Sequence, residues 1–374
     1  MENRRYYFDY NATCLPFKDI LVESTLDYIE NFYNPSGPTR FSLSRQGVIE
    51  EARNYLSQIT SKHRAGIVFS STGTEALYFL VGAVKNRYRN TNAIVSPFEH
   101  SALYAALEYY QIEADILSTN KTGLIDLNEL ESKLKKKQNP VFIIFASGET
   151  GVIQPFSEIY QLTQKYQVPL FSDLIQSFCK LPIDFGMLDG FTISGHKIGG
   201  GMGVSATCLE KHYLDNDFKI FGGGYQENNH RAGSENTVAI LAMAKVAKLQ
   251  MDEFYHIEEK LKGFQARIES ILKELGSVIV AQNSKRLSNT TFAILPLNDI
   301  DFFMIGLEEK GILVSTGASC KSRSREPSES LLKMGYSVEE ALQAIRISTG
   351  YFTTEIEVEY LLKNMRDVLL NFFS

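Results

Sequence analysis

The sequence predicts an α/β fold. A large domain carries a mostly parallel sheet covered by helices on both faces, and a smaller α/β domain follows it. Three observations predict this. Short apolar runs alternate with helical patterns through the first two thirds of the chain. That pattern changes after about residue 240. And 374 residues are too many for one ordinary core. The division expected is a large domain over 15–250 and a small one over 251–374, joined by 1–14.

The elements follow in order. Strands are expected at Ile67-Val68-Phe69, Ala93-Ile94-Val95, Val141 to Phe145, Leu170-Phe171, Phe191-Thr192-Ile193 and Ala206 to Leu209. Between them, apolar residues recur at helical spacing, as in Val48, Ala52, Tyr55, Leu56 and Ile59. One long helical stretch is expected to end near Leu275. Strands at Val278-Ile279-Val280, Thr291 to Ile294, Ile312-Leu313-Val314 and Ile345-Arg346-Ile347 come after it, with a helix near Ile300 to Glu309. Thr354 and Glu357 read as a capping box opening the last helix.

Composition excludes several classes. A net charge of -6 argues against non-specific nucleic-acid binding. Cys14, Cys179, Cys208 and Cys320 lie far apart without C-x-x-C spacing, which speaks against a zinc site or a disulfide framework and fits a reducing cytoplasm. The start, Met1 to Tyr6, lacks the apolar core of a signal peptide. The longest apolar run, Val141 to Ala146, is too short to span a bilayer. The expectation is a cytoplasmic protein with no membrane and no nucleic-acid partner.

Ligands of such a sheet bind beyond the carboxyl ends of its strands. Asp173 and Gln176 follow one expected strand, and Ser194-Gly195-His196-Lys197 follow another. A strand-end Asp with a strand-end Ser-x-His-Lys is how pyridoxal-phosphate enzymes hold their cofactor: the Lys forms the Schiff base, and the Asp keeps the pyridine nitrogen protonated. Ser70 to Ala76, with Gly73 and Thr74, opens a helix and reads two ways. It is a capped helix, with Thr72 and Glu75 as a capping box, or a phosphate cradle of backbone N–H groups and a Thr hydroxyl. His100 is a structural histidine, or one that stacks on a pyridine ring and moves protons. Arg346 makes a surface ion pair or binds a carboxylate. Cys320 starts a polar, basic loop with Lys321, Arg323 and Arg325, charges that favour a thiolate, whereas the other three cysteines read as small buried hydrophobes. The Gly199 to Gly203 run is not a dinucleotide fingerprint, because it does not open the first βα unit.

Taken together the chain resembles the cysteine desulfurases of the class V aminotransferase-like group, in pyridoxal-phosphate fold type I. The pieces that carry the resemblance run from Phe8 to Thr13 through Asn34-Pro35-Ser36, Thr74-Glu75, Glu99-His100, Glu149-Thr150-Gly151, Asp173 with Gln176, Ser194 to Lys197, Arg231 to Asn236 and the Cys320 loop, to Arg346 to Thr353. The length of that loop is similar to the nitrogen-fixation and housekeeping branch. The resemblance implies that Lys197 holds pyridoxal 5'-phosphate and moves the Cα proton. Asp173 would pair with the ring nitrogen, Gln176 would contact the ring oxygen, and His100 would stack on the ring. Thr74, Ser194 and His196 would bind phosphate, joined by Ser234 from the second subunit of a homodimer. Arg346, with Asn34, would hold the substrate carboxylate. L-cysteine would become L-alanine, leaving a persulfide on Cys320 for a sulfur-acceptor protein. Another aminotransferase or lyase of this fold, or a weakly active protein-binding homologue, are the other readings. Ser147-Gly148 stand where the family carries Asn-Asn, the glycine run after Lys197 is short, and the C-terminal extension used to dock a scaffold is expected to be absent.

Overall fold

The structure is a computed structural model that describes residues 5–89, 92–136, 139–214, 218–297, 299–317 and 326–373. Cys320, Lys321, Arg323 and Arg325 lie outside the described residues. In chain order the strands are β1 (Tyr6–Tyr7), β2 (Ile67–Ser70), β3 (Asn92–Val95), β4 (Glu113–Ile116), β5 (Val141–Phe142), β6 (Leu170–Asp173), β7 (Gly190–Ser194) and β8 (Ser205–Leu209), then β9 (Val278–Ile279), β10 (Thr290–Ile294), β11 (Ile312–Leu313), β12 (Ser315–Thr316) and β13 (Ala344–Ser348).

The large sheet runs β2-β8-β7-β6-β5-β3-β4. Neighbours from β7 to β4 pair in parallel, and β8 runs antiparallel to both β7 and β2. Successive side chains on a strand point to opposite faces, and here both faces are covered. Ile67, Phe69, Ile94, Val141 and Ile143 enter one core with Ile49 and Leu56 of helix Arg40–Thr60 and Met243 of helix Thr237–Asp252. Val68, Ala93, Val95 and Phe142 enter the other, with Leu77 and Leu80 of helix Gly73–Tyr88 and Leu103 of helix Ser101–Tyr109. Double-sided burial is why these strands read as unbroken apolar runs. The strand β4 has no such run: Glu-Ala-Asp-Ile is an edge strand, largely exposed and paired only with β3.

The expected helical stretch up to Leu275 is two helices, Thr237–Asp252 and Phe254–Glu274, broken at Glu253. The first packs on the large sheet. The second sends Ile257, Leu261, Phe264 and Ile268 into a separate core with Phe8, Phe303 and Leu361. Around that core lie the antiparallel sheet β12-β13-β10-β9 and the parallel pair β1-β11. Ile312 to Val314 therefore do not form one strand: β11 pairs with the N-terminal segment, and β12 with β13. The box at the last helix is complete, with Thr354 N–H donating to Glu357 at 2.8 Å and Glu357 N–H donating to Thr354 at 3.3 Å. The one at Gly73–Tyr88 is half made. Glu75 N–H donates to Thr72 Oγ1 at 3.1 Å, but the Glu75 carboxylate accepts from Ser71 N–H and pairs with Arg231 instead.

Candidate active site

The site lies past the carboxyl ends of β6 and β7. Asp173 ends β6 opposite Thr192 of β7, so the turn Gly195–Lys197 that follows β7 stands beside the Asp. Asp173 is buried, and Ile175 N–H donates to its Oδ1 at 2.8 Å. Burial pushes its pKa up to about 6, against the pull of that hydrogen bond and of the nearby Lys197 charge. A carboxylate held this way gains most from a cationic N–H.

Lys197 Nζ donates to the main-chain carbonyls of Asn11 at 2.7 Å and Ala12 at 2.8 Å. Gln176 shares that turn: its Nε2 donates to the Asn11 carbonyl at 2.8 Å, and its Oε1 accepts from Lys180 at 3.2 Å. Gly148 lies against Gln176, where an added Cβ would meet Gln176 Cγ and Nε2 at 3.2 Å. The glycine that departs from the family pattern thus makes the space that Gln176 fills.

His100 caps helix Ser101–Tyr109, and its Nδ1 accepts from Ala102 N–H at 3.1 Å. The neutral ring therefore carries its proton on Nε2. Desolvation, then the Lys197 charge, holds its pKa down. Beside it Glu99 is buried and pushed up to about 8, mainly by burial, with Ser96 Oγ donating to it at 2.6 Å. His196 faces Thr13 Oγ1 at 3.3 Å and is pushed down to about 4 by burial and by Lys197 and Lys180.

Gly73 and Thr74 are the first residues of a helix whose dipole favours negative charge at that end. Ser194 is buried and accepts from Ser205 at 2.9 Å, leaving its own hydroxyl proton to donate elsewhere. Ser234 is exposed in the loop before helix Thr237–Asp252, and among the described residues no hydrogen bond ties it to Lys197, Asp173 or His100. Arg346, on β13, reaches Asp9 at 2.8 Å and the Gly148 carbonyl at 3.2 Å. Asn34 is separate from it. The Asn34 side chain accepts from Ser36 N–H at 2.9 Å in an exposed turn.

Sequence reasoning missed four neighbours of the site: Asp9, Asn11, Lys180 and Glu99. Asp9 and Asn11 stood inside a motif that carried the resemblance but received no role. Lys180, four residues past Gln176, offered spacing as its only signal.

A buried strand-end acid and a lysine in the turn after the neighbouring parallel strand place the chain among α/β proteins with a polar site at the carboxyl edge of the sheet. The class-V aminotransferase family matches residues 6–361, and the chain belongs to that family. It is 30% identical to cysteine desulfurase IscS 1 of Archaeoglobus fulgidus, over 97% of this chain and 96% of that protein. It is likewise 30% identical to a cysteine desulfurase of Nostoc sp., over 97% of this chain and 92% of the relative. The solved structure of a NifS-like protein from Rickettsia africae superposes with a TM-score of 0.87 at 30% identity, covering 98% of this chain and 99% of that one. Among the described residues no helix is long and apolar enough to cross a membrane.

Proposed function

We propose that this protein is a cysteine desulfurase dependent on pyridoxal 5'-phosphate. It converts L-cysteine to L-alanine and leaves a persulfide on Cys320 for an acceptor protein. The observation that carries the reading is the placement of Asp173 and Lys197 at the ends of adjacent parallel strands, with Gln176 between them and the Asn11 turn. The full-length likeness to relatives named cysteine desulfurase supports it.

The residues present fit the cofactor. Asp173 is a buried acid with a raised pKa, suited to a protonated ring nitrogen. Gly73, Thr74, Ser194 and His196 offer donors to a phosphate, and Ser234 would add one from a second subunit of a homodimer. When bound, the cofactor supplies an electron sink for the carbanion at Cα. The chain does the rest. Lys197 holds the cofactor and carries the Cα proton. With the cofactor bound, His100 would stack on its ring and present its Nε2 proton. Arg346, on β13, orients the substrate carboxylate. The Cys320 thiolate attacks the substrate sulfur, forming an S–S bond as the Cβ–S bond breaks. We assign 15–250 to the cofactor-holding unit, and 251–374 with 1–14 to the unit that carries Arg346 and Cys320.

The test is turnover of L-cysteine by the purified protein with pyridoxal phosphate and a thiol reductant. Alanine and sulfide should form in equal amounts, Lys197→Ala should form neither, and added sulfur should map to Cys320. A keto acid as the product, or full alanine output from Cys320→Ser, would overturn the reading in favour of an aminotransferase or lyase.

A further inference from the structure

We infer that Asn11 is a positioning residue for Lys197: its side chain clamps the turn whose carbonyls hold the lysine amine, and so ties that amine to the small sheet. The inference rests on Lys197 being the cofactor lysine, but its test does not need the cofactor.

Asn11 is 1% exposed, and its polar groups are all engaged. Its N–H donates to Ser348 Oγ of β13 at 3.0 Å. Its Nδ2 donates to Thr290 Oγ1 of β10 at 2.8 Å and to the Gly148 carbonyl at 3.1 Å. Its Oδ1 accepts from Asn289 Nδ2 at 3.0 Å and from Lys180 at 3.5 Å. Its carbonyl accepts from Lys197 at 2.7 Å and Gln176 at 2.8 Å. One residue therefore joins β10, β13, the Gly148 turn, the Gln176 turn and the lysine. A buried amide satisfied on every side permits one arrangement, because each bond lost leaves a polar group unpaired in low dielectric.

The consequence is electrostatic as well as geometric. Carbonyls aimed at an ammonium favour its charged form. The other groups facing this amine are Asp173 at the end of β6, His100 at the start of helix Ser101–Tyr109, His196 on its own turn, Cys14 of the N-terminal segment, and Lys180 across Asn11. Asp173 also favours the charge, and Lys180 opposes it. The clamped turn adds two acceptors at fixed range. A lysine that must alternate between holding a cofactor and moving a proton needs a defined place for its amine when it is released, and Asn11 fixes that place.

The experiment is competitive labelling of the full-length, cofactor-free protein with acetic anhydride across pH 6 to 10, read by mass spectrometry of the Lys197 peptide. Asn11→Ala should move half-maximal labelling of Lys197 to lower pH by about half a unit or more. Asn289→Ala, which removes one strut and leaves the turn's sequence intact, should move it the same way by less. Phe303→Ala, in the same small-domain core but remote from the turn, should lower Tm and leave the profile where the wild type has it. If Asn289→Ala and Asn11→Ala lower Tm yet leave the Lys197 profile unmoved, like Phe303→Ala, Asn11 is structural only and the inference falls. Should Asn11→Ala not fold, Asn289→Ala alone decides. Failure of wild-type Lys197 to capture pyridoxal phosphate, measured separately, would count against the proposed function and leave the labelling result standing.

Discussion

Two arginine–carboxylate pairs with buried arginines are satisfied very differently. Arg53 meets Glu227 with two parallel bonds of 2.9 Å, and the side chains are 4% and 1% exposed. Arg53 Nε donates to Glu50 at 3.0 Å, and Phe69 N–H donates to Glu227 at 2.7 Å. Arg346 meets Asp9 with a single bond, its second nitrogen goes to a carbonyl, and its Nε has no hydrogen-bond partner among the described residues. The first pair is satisfied from every side. It fastens a loop in which Glu227, Asn228 and Asn229 all take left-handed φ values of 49°, 53° and 72°. The second keeps a donor in reserve beside the site. A satisfied buried pair is a fastening, whereas the Arg346–Asp9 pair leaves one guanidinium nitrogen without a partner among the described residues.

The largest effect tests the fastening. Glu227→Ala leaves Arg53 buried without its partner and should cost about 3–5 kcal/mol. Urea unfolding measures this, and a loss below about 1 kcal/mol would mean the pair is not the anchor described.

Next comes a pH dependence centred on Asp173. Asp173 titrates near 6 in the fold, above its ordinary 3.8. The fold binds its proton more tightly than the unfolded chain does. The stability that Asp173 contributes is therefore fully present below about pH 4 and lost as pH rises to about 6. The drop for the cofactor-free protein is roughly 2–3 kcal/mol. Asp173→Asn should flatten that slope, and added pyridoxal phosphate should offset it. Glu99, pushed up to about 8, continues the trend above pH 6. Equal slopes in wild type and Asp173→Asn would refute the assignment.

The under-satisfied pair should yield to substrate. Arg346→Leu should lower kcat/KM for L-cysteine by about 10- to 150-fold, the range of one charge-assisted hydrogen bond at roughly 1.5–3 kcal/mol. Asp9→Asn removes the internal competitor, so KM should fall a few-fold. A KM that rises would show Asp9 aiming the arginine rather than competing for it.

The smallest effect concerns the glycine that separates this chain from the family pattern. Gly148→Ala places a Cβ 3.2 Å from Gln176. Gln176 has to give by a few tenths of an ångström, and KM should change less than about three-fold while Tm falls by a degree or two. Complete loss of activity would mean that Gln176 has no slack.

The fold was legible because its signals are local. Ile67 to Phe69 are apolar on both sides and read as a strand buried on both faces, and Phe191 and Ile193 enter one core with the buried Thr192 between them. The helix Ile300–Glu309 was read to its ends, where Asp299 caps it. The exposed edge strand Glu113–Ile116 gave no apolar signal, and the break at Glu253 lies inside a helical pattern that continues across it. Of the candidate site, Asp173 closes β6, Gln176 lies in the turn after it and Lys197 in the turn after β7, so each stood just past an apolar run that the sequence displays. Asp9 and Asn11 were not readable, because their partners Arg346, Asn289 and Thr290 lie more than 270 positions away.

Hydrophobic periodicity by itself determined the α/β class and the change of core after the large sheet, and strand-end chemistry singled out Asp173 and Lys197, which the fold sets at the ends of adjacent strands. These are properties of a short window of chain, and burial repeats them wherever the window goes. Tertiary structure alone decided that Gln176 rests on Gly148, that Arg346 is held by Asp9 with a donor to spare, and that Lys197 leans on a turn clamped by Asn11. Each of these depends on which distant polar groups are left to satisfy one another once water is excluded. That pairing is settled only when the whole chain has closed around it.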